Sequence, residues 1–131
     1  MADVNTLPRF LAAYRSDEVA ITTADSSLTA PAAAGTVWTA GAQGSRIDRI
    51  IVKAQGTTTA SMVRLFIHDG AAYFLFKEVS VSAIIPSAPV QAFIEDIDLA
   101  ATPLYLSSGY TLRATTSSGE DFVVMAIGGD Y

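Results

Sequence analysis

The 131-residue sequence contains no cysteine, a single histidine (His68) and few charges of either sign. Without cysteine there is no disulfide framework, thiolate nucleophile, Cys-based zinc site or iron–sulfur cluster. One histidine leaves most acid–base and nucleophilic schemes unassembled, and no Gly-x-Ser-x-Gly elbow stands anywhere in the chain. Eight Lys+Arg against thirteen Asp+Glu give a formal net charge of -5, so no basic surplus exists to neutralise a phosphate backbone, and nucleic acid is not the expected partner. No apolar run approaches the roughly 20 residues of a membrane-spanning helix. The start, Met1-Ala-Asp-Val-Asn5, carries an acid where a secretion signal needs positive charge. These absences predict a protein that is not an enzyme, with no cofactor, metal, membrane or small-molecule substrate. They also predict a chain kept in the cytosol or carried into an assembly formed there.

What fills the place of charge is small and neutral. Charged residues make up 16% of the chain, against roughly 25% in ordinary soluble domains, while Ser and Thr together number 25 and Ala 22. An exterior poor in Lys and Glu and rich in small residues resembles the buried part of an interface more than the surface of a free monomer. At this length a single core buries roughly two-thirds of the unfolded surface, enough to fold without a covalent or metal staple.

Residues 1–34 read differently from the rest. Leu7, Phe10, Leu11 and Tyr14 fall at i, i+3, i+4 and i+7, one face of a helix about two turns long, with Thr6 as its cap and Pro8 in its first turn. A helix so short must dock this face, either on its own domain or, as an arm, on a neighbouring subunit. A short strand is expected at 19–23 and a loop at 25–35. From residue 35 to 131, strand patterns alternate with turn signals about every ten residues, as in a β-sandwich or barrel. The expected strands are 36–40, 46–55, 61–68, 71–81, 92–99, 104–106, 110–116 and 122–127.

Local chemistry refines this map. Asp69-Gly70 predicts a two-residue type I′ hairpin that pairs Ile67 with Ala72, Leu65 with Phe74 and Val63 with Phe76, gathering those six side chains on one apolar face. His68, beside the turn, reads as a turn or surface residue. Phe122-Val-Val-Met-Ala-Ile127 is apolar on both faces, as a strand covered on both sides would be. In the acidic cluster Glu95-Asp-Ile-Asp98, Asp96 and Asp98 share a strand face with Glu95 pointing away, which reads as a solvated face or as ion pairs with arginine, a calcium site being disfavoured by having only two ligands on one side. Strict alternation puts Arg49 and Lys53 with Ile47 and Ile51, and Arg46 with Asp48, on opposite faces. Gly128-Gly129 lets the tail turn away from the last strand, so that Tyr131 plugs the sandwich or anchors on a neighbour. Trp38 has the same two readings, core packing or an anchor on a neighbour, with core packing favoured.

Two stretches carry a family resemblance. Ile47-Asp-Arg-Ile-Ile-Val-Lys-Ala-Gln-Gly56 running on through Ser61-Met-Val-Arg-Leu-Phe-Ile-His-Asp-Gly70, and the ending Leu112-Arg-Ala-Thr-Thr-Ser-Ser-Gly-Glu-Asp-Phe-Val-Val-Met-Ala-Ile-Gly-Gly-Asp-Tyr131, resemble small virion structural proteins of tailed bacteriophages and prophages. The resemblance spans roughly residues 45–131. It implies a cement or decoration protein on the capsid exterior, a small β-sandwich that stitches neighbouring capsomers together, often as a trimer. Its implied partners are the major capsid protein and copies of itself. With the strand pattern, the expected fold is all-β: an antiparallel, jelly-roll-like β-sandwich of about eight strands with an extended or short-helical N-terminal arm. The expected subunit contacts are Leu7, Phe10, Leu11, Tyr14 and Tyr131. Alternatives are a phage tail, baseplate or fibre component, or a glycan-binding sandwich with Trp38, Tyr73 and Tyr110 as stacking rings.

Overall fold

A computed structural model describes residues 11–131. Nine strands follow in order: β1 (Ala13–Ile21), β2 (Gly35–Thr39), β3 (Ser45–Ala54), β4 (Ser61–His68), β5 (Tyr73–Val81), β6 (Ile94–Asp98), β7 (Leu104–Leu106), β8 (Thr111–Thr116) and β9 (Phe122–Asp130). None of the described residues is helical. Strands β4 and β7 match the expected spans to the residue, because Gly, Pro, Ser and Asp stop the pattern where the turn begins.

The strands form two antiparallel sheets. The front sheet has the order β1-β9-β3-β6, with β7 also on β3, and the back sheet has the order β2-β8-β4-β5. Strands β6 and β7 pair with different ends of β3, residues 49–53 and 45–47, and so act as one strand interrupted ahead of Pro103. Counted that way, eight strands wind between the two sheets as a jelly roll, the fold class expected from the sequence. The core lies between the sheets: Ile47, Ile50 and Val52 of β3 and Val124 of β9 meet Val63 and Leu65 of β4, Leu112 of β8 and Trp38 of β2, all essentially fully buried. Trp38 is therefore core.

Extra residues bend three strands. The register shifts between Thr36 and Trp38, between Ile47 and Arg49, and opposite the Leu65–Phe66 step, where Phe76 is the extra residue. The first bulge lets both Val37 and Trp38 point inward. The second overturns strict alternation in β3. Ile47 and Ile50 face the core, and Arg46, Arg49, Ile51 and Lys53 share the outer face.

Three further expectations are corrected. The Asp69 hairpin closes through four residues rather than two: Ile67 pairs with Phe74, Phe66 with Leu75 and Val63 with Val79. The reason is the Asp69 carboxylate, which accepts hydrogen bonds from the amides of Ala71 and Ala72 (2.9 and 2.8 Å) and holds both residues in the turn. Phe74 is consequently 54% exposed. Tyr14, expected on a helix, lies instead in β1, which begins six residues before the expected strand and brings residues assigned to the arm into the front sheet. Backbone pairing along the whole of β9 outweighs a helical periodicity only two turns long. Leu7 and Phe10 lie outside the described residues.

Finally, Gly128 and Gly129 do not release the tail, because β9 runs on through Asp130. They are glycine because the sheet is crowded there. A Cβ on Gly128 would stand 2.0 Å from the Arg46 carbonyl oxygen, and one on Gly129 would stand 2.6 Å from that of Ala13. Backbone cannot yield as a flexible side chain does. Gly128→Ala is therefore expected to lower stability in urea denaturation by about 3 kcal/mol, whereas Gly56→Ala, whose Cβ would meet nothing within 4 Å, should change it by less than about 1 kcal/mol.

Candidate functional site

The outer face of the front sheet can be built from its register. Residues directly opposite on antiparallel strands share a face, so successive rows read Tyr14–Gly129–Arg46–Tyr105, Ser16–Ile127–Arg49–Asp98, Glu18–Met125–Ile51–Asp96 and Ala20–Val123–Lys53–Ile94. Val123, Met125, Ile127 and Ile51 make a half-buried apolar column down its middle, and Ile94 extends it at 44% exposure. Cations line β3 on one side of that column, and the outward side chains of β1 line the other.

One end of this face is hollow. A cavity of about 420 Å³ is lined by Tyr14, Arg46, Asp48 and Arg49 together with Asp98, Ala100, Pro103 and Ile127. The Tyr14 hydroxyl donates to the Asp48 carboxylate and accepts from Arg46 Nη2 at 3.3 Å, while Arg46 Nε donates to Asp48 at 2.9 Å. The bonds to Tyr14 and then Asp48 push the Arg46 guanidinium further up from an already high value, so it is charged at any working pH. Arg49 binds Asp96 at 2.6 Å and reaches Asp98 at 3.8 Å, the ion pairs expected of the acidic cluster. Both arginines are thus engaged by carboxylates, which makes the cavity a zwitterionic recess rather than an anion site.

Of the expected contact residues, Leu11, Tyr14 and Tyr131 are described and lie at this corner. Leu11 rests against Gly129, with its Cδ1 only 2.8 Å from where a Cβ would be, and Tyr14 pairs with the same glycine at 62% exposure. Tyr131 follows β9 half-buried, and its amide donates to the Gly44 carbonyl at 3.1 Å. Beside it, on the inward side, Asp130 accepts from Ser45 Oγ (2.6 Å) and from Arg15 Nη2 (3.0 Å), and Ser45 Oγ accepts from the Gly41 amide. Arg15 also donates to the Thr39 carbonyl and lies 3.9 Å over the Trp38 ring. This cluster ties β1, β2, β3 and β9 together at one end of the sandwich.

The remaining candidates have structural occupations. Trp38 is 1% exposed and cannot stack on a ligand. The Tyr73 hydroxyl accepts from Arg113 at 2.9 Å, and its ring covers Phe66 edge-on. His68 Nδ1 accepts from the Gly70 amide, which is the turn role expected of it.

Sequence reasoning missed a second exposed feature. No charge falls between Glu78 and Glu95, and the β5–β6 connection in that stretch exposes Ile85 at 77% and Val90 at 45%. It is held in place rather than left loose. Thr58, 2% exposed, exchanges backbone hydrogen bonds with Ile84 and donates its hydroxyl to the Ser82 carbonyl at 2.7 Å, and Ser87 and Val90 bond each other in both directions. The run of uncharged residues was the available signal.

Among the described residues, no cluster of three or more His, Asp or Glu side chains is arranged to hold a metal ion. No protein-family model matches the chain, and no curated protein matches it.

The carboxylates give this architecture a pH dependence. Arg15, then Ser45, holds Asp130 below its ordinary value of 3.8; the amides of Ala33 and Ser27 do the same for Asp25, and those of Ala72 and Ala71 for Asp69. A lowered folded value means stability that is present above 3.8 and lost as pH falls through the folded values. Thermal melts are therefore expected to drop on acidification below pH 3.8. Asp130→Asn should lose about 1 kcal/mol at neutral pH, since Arg15 and Asp130 are only about two-thirds shielded, and should show a shallower acid decline.

Proposed function

We propose that this chain is a structural protein of a bacteriophage virion, a cement or decoration protein that binds the capsid exterior and links neighbouring capsid subunits. The observation that carries the reading is the hydrogen-bonded connection between β5 and β6, within the charge-free stretch of residues 79–94, with its exposed Ile85 and Val90. It is supported by the resemblance across residues 45–131 and by an exterior in which Ser, Thr and Ala replace charge. Apolar side chains on a fixed backbone act as binding anchors because little ordering entropy is lost on docking.

On a lattice, a modest contact suffices. A chain that touches more than one subunit gains through effective concentration, so several weak anchors hold as one strong one. The protein would reside on the virion after synthesis in the host cytoplasm.

Quantitative mass spectrometry of purified particles tests the reading. Copy number approaching that of the major capsid protein is expected. Absence from the particle would overturn the reading, and a handful of copies would move the chain to the tail, baseplate or fibre. Ile85→Asp should melt like the parent protein yet bind stripped particles about 30-fold more weakly, the loss of one central anchor.

A further inference from the structure

We infer that the outer face of the front sheet is a self-association surface on which two copies of this chain pair face to face, β9 over β9. This goes beyond the virion reading and stands without it. The face has an apolar centre, Val123, Met125, Ile127 and Ile51, of a kind that monomers seldom leave uncovered beside a cavity. What covers it is indicated by charge. Glu18 on β1 and Lys53 on β3 flank the column from opposite sides, and neither makes an ion pair among the described residues; Lys53 donates only to the Ala92 carbonyl at 3.1 Å.

A two-fold axis parallel to the strands and over β9 lays β1 of each copy on β3 of the other. Glu18 then sits above Ile51 of the second copy, one step along the strand from both Lys53 and Arg49. Met125 meets Met125, and the outward Tyr14 comes over Arg46 at the cavity rim. The alternative axis, across the strands, sets Glu18 against Glu18 and Lys53 near Arg49, which like charges disfavour. Three strands overlap in this arrangement, β1, β9 and β3; at about 4.8 Å apart and nine residues of about 3.4 Å they give a footprint on the order of 440 Å² per copy, about half of a standard interface, the size of a weak and reversible dimer.

Sedimentation equilibrium of the full chain over a wide concentration range tests this. A reversible monomer–dimer equilibrium is expected. Met125→Asp should remove the dimer, and Glu18→Lys should weaken it about tenfold, while the charge-exchanged variant Glu18→Lys/Lys53→Glu should recover most of that loss. This rescue distinguishes a lost contact from a damaged fold. A monomer at every concentration, a trimer, or a dimer indifferent to both Met125→Asp and the charge exchange would overturn the inference. Leu7→Asp/Phe10→Asp should leave the equilibrium unchanged. If it instead turns a monomeric chain into an associating one, residues 1–10 occupy the face and the inference falls. Loss of the dimer leaves particle binding through residues 79–94 untouched, so the two claims fail separately.

Discussion

Strand β9 carries two ladders at once. It pairs along its whole length with β1 on one side, more than a hundred positions earlier, and with β3 on the other, between 68 and 85 positions earlier. The front sheet cannot exist without it. Gly128 and Gly129 make this possible, because the backbones of Arg46 and Ala13 approach too closely for any side chain to stand between them. The Asp130 cluster then locks the end of β9 to Arg15 and Ser45. Closure that depends on contacts this distant in sequence implies slow folding, since the loop entropy is lost before the pairing compensates it.

The same strand divides the inside from the outside of the molecule. Phe122, Val124 and Ala126 enter the core, and Val123, Met125 and Ile127, just as apolar, face outward. A sheet face that looks like a core face is a surface made for covering. Together with the β5–β6 connection that exposes Ile85 and Val90, it gives the chain two separate apolar surfaces and few charges to keep it apart from neighbours. A protein whose work is to join other proteins needs surfaces of this kind, and the proposal of a cement protein rests on them.

Much of this fold was legible because turn chemistry and alternation agreed. Strands β4 and β7 could be placed to the residue, and the two-faced apolarity of β9 marked it as central. Bulges were not legible. Asp48, Phe76 and the Val37–Trp38 pair shift register for the sake of what packs across the sandwich, and no local pattern announces that. The Asp69 turn misled because Asp-Gly fits a two-residue loop, while the aspartate side chain, by capping two further amides, favoured a longer one. At the amino end, Leu11 and Tyr14 have helical spacing, yet the unpaired edge of β9 recruits them into its ladder or against it. The corner cavity was hidden for the same reason: it exists only once the bulge at Asp48 has turned Arg46 and Arg49 to one side.

Methionine oxidation measures the covering of that outer face directly. Met125 stands at its centre, and Met62 lies half-buried on the back sheet, where it accepts a weak hydrogen bond from Ser80. When the folded protein is treated with peroxide at rising protein concentration, peptide mass spectrometry should show sulfoxide formation at Met125 slowing while that at Met62 stays constant. Equal, concentration-independent oxidation of the two would contradict the claim that the front sheet is built to be covered by another copy.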